Sequence, residues 1–183
     1  MGELLMREAS VPHRVTPRSD RRGDGGAEFE EFFRREFVSL ASLGTAITGD
    51  RCEGEDVAQV ALSRAHRDWD RVSRYDNPGT WVRRVTINLA LSARRRAAVG
   101  TRATLRLAGS RSETEPEWVE ADPELWAAVA RLPRQQRAAV ALHYLEDRPV
   151  SEIAELMGCS ESTARVHLHR GRSAIARALE VRP

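Results

Sequence analysis

The 183-residue chain has no lysine: all 29 of its Lys-plus-Arg residues are arginine. Any cationic surface is therefore made of planar guanidinium groups, which suit two-pronged contacts to phosphate and guanine. Arginine-only, alanine-rich usage also follows from nucleotide bias in a GC-rich genome, so distribution has to carry more weight than residue choice. Cysteine is scarce too. Cys52 and Cys159 lie far apart and neither has a CxxC partner, so neither a disulfide framework nor a cysteine zinc site is indicated and two free, semi-buried thiols are expected. No apolar run approaches the roughly 20 residues that span a bilayer, and the N-terminus carries no apolar signal core. A cytoplasmic protein without membrane insertion is expected. The chain has no HExxH, GxSxG or phosphate-cradling glycine loop, and His167 with His169 is too thin a pair to hold a metal. Catalysis, a metal and a cofactor are all left without residues to carry them, so none of the three is expected.

Acidic residues are missing from one long stretch. Between Asp76 and Glu113 there is none, while Arg83, Arg84, Arg94, Arg95, Arg96, Arg102, Arg106 and Arg111 accumulate. The formal net charge of +2 does not by itself point to nucleic acid. Segregation of this kind does, because a polyanion is met by a face rather than by an average.

What is present is helical periodicity. Residues 1–27 are rich in Arg, Gly, Pro and Ser without lasting period and read as a disordered leader. From Phe29 the residues Phe32, Phe33, Phe37, Leu40, Leu43 and Ile47 recur at helical spacing until Gly49 and Asp50 stop them. A second helix is expected over Glu55 to Val72, with Val57, Ala58, Ala61, Leu62, Ala65, Trp69 and Val72 inward and Asp56, Gln59, Ser63, Arg64 and Arg67 outward. The run RYDNPG, Arg74 to Gly79, is a turn and leads into a helix from Thr80 to about Ala97. Trp81, Val82, Val85, Leu89 and Ala93 suit its packed side; Arg83, Arg84, Asn88 and Arg94 to Arg96 suit its outside. Tyr75 and Trp81 beside that acid-free helix resemble the aromatic-plus-arginine composition of single-strand binding sites; the alternative is that both rings are core, which suits Trp81 at least as well.

Residues 99–122 lose the helical stripe and read as a linker. Beyond it, Leu125, Trp126, Val129 and Leu132 mark one helix ending at Pro133, and Gln135 to Leu145 another. Pro149 to Arg172 then reads as a helix-turn-helix: Ser151 can cap a helix carrying Ile153, Ala154 and Met157, Gly158 suits the left-handed residue that ends it, and Ser160 can cap the next. At roughly 100° per residue, Ala164, Leu168, Gly171, Ile175 and Leu179 gather inward while Ser162, Arg165, Val166, His169 and Arg170 gather outward. An exposed stripe of Arg and His donors around a small apolar residue fits the major groove. A solvated face on an ordinary helical hairpin is the plainer alternative.

Three segments in order resemble the extracytoplasmic-function group of bacterial sigma factors, the promoter-specificity subunits of RNA polymerase. They are EDVAQVALSRAHRDW at Glu55 to Trp69, NPGTWVRRVTINLALSARRR at Asn77 to Arg96, and the run from Leu132 to Leu179. The resemblance implies an all-α fold of two small helical domains: a sigma-two domain over residues 28–98 and a sigma-four domain over residues 123–180, joined by a flexible linker. It implies core RNA polymerase as partner, through the beta-prime coiled coil and the beta flap, promoter DNA as the second partner and an anti-sigma protein as a further one. Asp56, Gln59, Ser63, Arg64 and Arg67 would dock on the coiled coil, although Asp56-Val57-Ala58-Gln59-Val60 lacks the Glu that relatives carry there. Tyr75, Asn77, Trp81, Arg83, Arg84 and Asn88 would serve the −10 element, where a flipped base is held in a loop pocket. Ser162, Arg165, Val166, His169 and Arg170 would read the −35 element, with His169 where some relatives carry an aromatic. The acidic part of the linker, Glu113, Glu115, Glu117 and Glu120, would either mimic nucleic-acid charge or serve as a solvated tether. A stand-alone helix-turn-helix regulator is the competing function; its first domain would sense or dimerise rather than hold polymerase.

Overall fold

A computed structural model of the chain describes residues 25–100, with side chains up to residue 92, and residues 122–180. Among the described residues the regular elements are eight helices, and none is long and apolar enough to cross a membrane. The first group comprises α1 (Gly25–Thr48), α2 (Arg51–Arg67), α3 (Trp69–Val72) and α4 (Pro78–Gly100). The second comprises α5 (Pro123–Ala130), α6 (Arg134–Tyr144), α7 (Val150–Met157) and α8 (Glu161–Glu180).

The aromatic stripe makes α1 a core helix, burying Phe32, Leu40, Leu43 and Ile47. It begins at Gly25, so the last three residues expected in the leader are helical; the rest of that leader, like residues 101–121 of the expected linker with its four glutamates, lies outside the described residues. The second helix starts four residues earlier than expected. Asp50 does not merely end α1: its Oδ1 accepts the Glu53 N–H at 2.8 Å and caps α2. Periodicity also runs through a break it cannot see, because α2 stops at Arg67 and α3 restarts at Trp69 with the same faces inward. Helices α1 and α2 touch backbone to backbone where Gly44 meets Gly54. A Cβ on Gly44 would stand 2.6 Å from the Gly54 carbonyl oxygen, and one on Gly54 would overlap the backbone and hydroxyl of Thr45.

On α4 the buried set is wider than the expected stripe. Val82, Thr86, Ile87, Leu89 and Ala90 are buried, Trp81 and Val85 only half so, and Ala93 lies outside the described side chains. The reason is that α4 is covered twice, by α1 and α2 on one side and by α6 and α7 on another. The Thr86 hydroxyl survives burial by donating to the Val82 carbonyl at 3.0 Å.

In the second group Asp122 caps α5 through the Leu125 N–H at 2.9 Å. The expected cap at Ser151 is not formed. Pro149, extended at ψ 158, brings the chain into α7 at Val150, so Ser151 is already inside the helix. Gly158 closes α7 in the left-handed region at φ 65, and the Cys159 N–H reaches back to the Ala154 carbonyl at 3.0 Å. Leu156 rather than Met157 is buried on α7, and Leu179, expected inward, is 41% exposed at the rim of a cleft between α8 and α5. Cys159 is half-buried as expected, whereas Cys52 is exposed. The two groups meet, α1 against α6 and α4 against α6 and α7, and most buried apolar side chains of both groups belong to one contiguous cluster.

Candidate nucleic-acid interface

The recognition helix is set from its buried side. Ser160 caps α8 by accepting the Thr163 N–H at 3.2 Å, and Ala164, Leu168 and Gly171 fix its inner face against α6 and α7. Gly171 lies so close to α6 that an added Cβ would come within 2.7 Å of Val140. With that face pinned, Ser162, Arg165, Val166, His169 and Arg170 all stand exposed together, as the angular count predicts. Among the described residues Arg165 reaches only Glu161, at 3.5 Å on open surface, a contact worth little. Val166 is 45% exposed in the middle of the donors, an apolar point where a groove would present a thymine methyl.

The six residues assigned to the −10 element divide into two sets. Tyr75, Asn77 and Trp81 cluster at the start of α4. The two rings lie 6.4 Å apart, tilted by 44°, and both are half-buried against the core, so each is shared between packing and surface. Tyr75 and Asp76 border a cleft of about 630 Å³ whose wall also includes Phe32, Trp69 and Pro78, large enough to admit a planar base. Asn77 is exposed, but its Oδ1 accepts the Thr80 N–H at 3.0 Å, so it is also the cap of α4. Arg83, Arg84 and Asn88, further along α4, face the second group. Asn88 lines a cleft of about 470 Å³ with Arg134, Met157 and His167, and the Arg84 guanidinium approaches Gly158. Arg83, expected outside, is bound between two carboxylates. The side chains of Arg94 to Arg96 lie outside the described set.

On α2 the polar set Asp56, Gln59, Ser63 and Arg67 is exposed and Arg64 half-buried, all opposite the buried Val57, Ala58, Ala61, Leu62 and Ala65.

Five charged residues escaped the sequence reading because their partners are remote in the chain. Arg83 Nη1 donates to Glu36 Oε2 at 2.8 Å and its Nε to Glu146 Oε2 at 2.9 Å. Arg134 Nη2 donates to both oxygens of Glu53 at 3.0 Å, and its Nη1 to the Ala90 carbonyl at 2.6 Å. Arg137 is buried, with its guanidinium against Gly49. Burial holds that guanidinium below its ordinary pKa, neighbouring Arg134 pushes the same way, and Glu53 partly offsets both. A signal existed for one of the five: Glu36 is in phase with Phe32 and Leu40, a carboxylate on an otherwise apolar stripe.

The described residues define the class as an all-helical, two-part protein carrying a helix-turn-helix with an exposed outer stripe and a separate exposed polar ridge on α2. Comparison with known proteins gives the family. Residues 32–99 match Sigma-70 region 2 and residues 123–175 match Sigma-70, region 4. The chain is similar to the ECF RNA polymerase sigma factor SigM of Mycobacterium tuberculosis, with 29% identity covering 82% of this chain and 76% of SigM. It is also similar to the probable RNA polymerase sigma factor RfaY of Xanthomonas campestris, with 31% identity over 75% of this chain but only 36% of RfaY. Its fold matches the sigma factor RpoE of Bartonella quintana, solved in complex with the anti-sigma factor NepR, with a TM-score of 0.64 at 17% identity over 85% of this chain and 99% of that one. The chain belongs to the sigma-70 family, in its extracytoplasmic-function group, whose members direct promoter-specific initiation by RNA polymerase.

Proposed function

We propose that the chain acts as a non-catalytic, cytoplasmic initiation factor in which residues 28–98 open and read the −10 element, residues 123–180 read the −35 element and residues 99–122 tether the two. In this reading Asp56, Gln59, Ser63, Arg64 and Arg67 dock on the beta-prime coiled coil, and the second unit meets the beta flap. Tyr75 borders the cleft that takes an extruded base, with Asn77 and Trp81 close by at the start of α4, while Arg83, Arg84 and Asn88 follow the strand. Extrusion costs a few kcal/mol, which ring contacts and pocket hydrogen bonds have to offset. Ser162, Arg165, Val166, His169 and Arg170 enter the major groove.

The observation that carries the reading is the α8 stripe: five outward residues on a helix whose opposite face is locked by Ala164, Leu168 and Gly171. Phosphate contacts supply most of the affinity, and one base contact discriminates by about 1–3 kcal/mol. Arg170→Ala is expected to abolish promoter-specific run-off transcription while leaving retention by core polymerase unchanged. Equal loss in both assays would remove the assignment. Footprinting without polymerase separates this reading from a stand-alone regulator, which would protect its operator unaided.

A further inference from the structure

We infer that Glu161, outside the stripe assigned to the −35 element, reads one C·G base pair together with Arg165, and that it adds sequence specificity while weakening affinity. The inference rests on the proposed placement of α8 in the major groove. Glu161 is the first residue of α8, at the end of a recognition helix that stands nearest the base edges. It is also the odd charge there. The helix carries Arg165, Arg170, Arg172 and Arg177, and its other carboxylate, Glu180, lies at the far end, about 28 Å away along the axis. Each arginine gains from nearby phosphates and a carboxylate loses, so a helix that only had to hold DNA would do better without Glu161. Capping does not account for it, because Ser160 already accepts the Thr163 N–H at 3.2 Å. A carboxylate in the first turn suits the helix dipole, but that role bears on stability and not on base choice. Among the described residues the Glu161 carboxylate meets only Arg165, Nη2 to Oε2 at 3.5 Å, with 57% of the Glu161 side chain and 66% of the Arg165 side chain accessible. A pair so exposed is weak, and both heads can leave it for other partners at little cost.

Base chemistry identifies those partners. In the major groove guanine shows two acceptors, thymine an acceptor beside its methyl group, and adenine an acceptor next to its amine; cytosine alone shows a donor, N4, with no acceptor of its own. An ionised carboxylate only accepts, so cytosine is the base that fits it. A guanidinium only donates, and it fits the O6 and N7 of guanine. Cytosine N4 and guanine O6 are hydrogen-bonded to each other within one base pair, about 3 Å apart. The two side-chain heads stand 3.5 Å apart in the free chain, so their spacing matches one C·G edge. On that edge each head exchanges the other for a base. Any pair that turns an acceptor toward Glu161 leaves a carboxylate unpaired between phosphates, and this repulsion rejects the sequence. Ser162, Val166, His169 and Arg170 supply attraction along the same face, whereas Glu161 supplies the penalty.

The test uses the full chain reconstituted with core RNA polymerase. The parent first selects duplexes from a randomised library, which defines its upstream element, and single-base variants of the selected duplex are then compared by retention. One position of that element is expected to require C·G, any other pair lowering retention about tenfold, about 1.4 kcal/mol. Glu161→Ala is expected to cut that preference to about twofold, to keep the preferences at the other positions, and to raise retention of unselected duplex about threefold. Glu161→Gln is expected to move the same position toward adenine, whose N6 and N7 a neutral amide matches. Tighter general binding with looser choice at one position is a result that a merely structural role for Glu161 would not give. Parental preferences in both variants, or an equal loss at every position with weaker retention, overturns the inference; so does a lower melting temperature of Glu161→Ala with unaltered selection, which would leave the helix dipole as the residue's whole role. A parent that selects no duplex removes the sigma-factor reading itself, whereas a parent whose upstream element lacks a C·G requirement removes this inference alone.

Discussion

Cys159 occupies the turn between α7 and α8, half-buried, and burial pushes its thiol pKa up while the Ala164 backbone N–H works weakly in the other direction. The thiolate is the nucleophile, so a raised pKa lowers its fraction at neutral pH. Iodoacetamide is therefore expected to alkylate exposed Cys52 faster than Cys159, on the order of tenfold, as read by peptide mass spectrometry of a time course. Equal rates would mean that the turn does not shield the thiol. At this scale the sequence, with two cysteines and no CxxC pairing, pointed to free thiols, and both are free. It could not rank them by exposure, which depends on neighbours from other helices. The same holds for Asn77: its place before Pro78 marks a turn, but that its side chain caps α4 became visible only with the Thr80 N–H in position.

Helices were legible because burial on one side imposes a period of about 3.6 residues, and this chain keeps that period in every long element. Their ends were less legible, since a cap depends on which of several polar residues the backbone presents. Asp50, Pro149 and the α2–α3 break are the cases here. The close approach of α1 and α2 was hidden altogether, because a glycine in a helical pattern looks only like a weak helix former. Gly54→Ala is expected to destabilise the fold by about 1–3 kcal/mol, since the new methyl meets the backbone and hydroxyl of Thr45. Gly26→Ala, with nothing within 4 Å of the added carbon, should cost nothing by the same urea titration. A Gly54→Ala midpoint equal to the parent's would show that the helices separate easily.

Across the whole molecule the two units meet through one apolar cluster and through ion pairs that the pattern of neither unit suggests. Arg137 tests the worth of buried charge from the opposite direction to those pairs. Its guanidinium is desolvated against Gly49, and its buried Nε has no hydrogen-bond partner among the described residues. A cation whose pKa falls on folding opposes folding throughout the pH range in which it is charged. Arg137→Met is thus expected to melt at or slightly above the parental temperature, a gain of up to about 1 kcal/mol, whereas Arg134→Met should melt lower because it strands the Glu53 carboxylate and the Ala90 carbonyl. Reversal of that order in a thermal scan would mean that Arg137 is the structural cation and Arg134 the spare one.

The sequence by itself determined the helical class, the outward stripe of α8, the polar ridge of α2 and the family, because each of these follows from residues near one another along the chain and repeats at the pitch of one helix. Tertiary structure alone decided which arginines are free. Arg165 and Arg83 are indistinguishable as letters in an amphipathic pattern; one faces solvent, and the other meets carboxylates 47 residues before it and 63 residues after it. Electrostatic partnership is set by distance in space, and no local period encodes it.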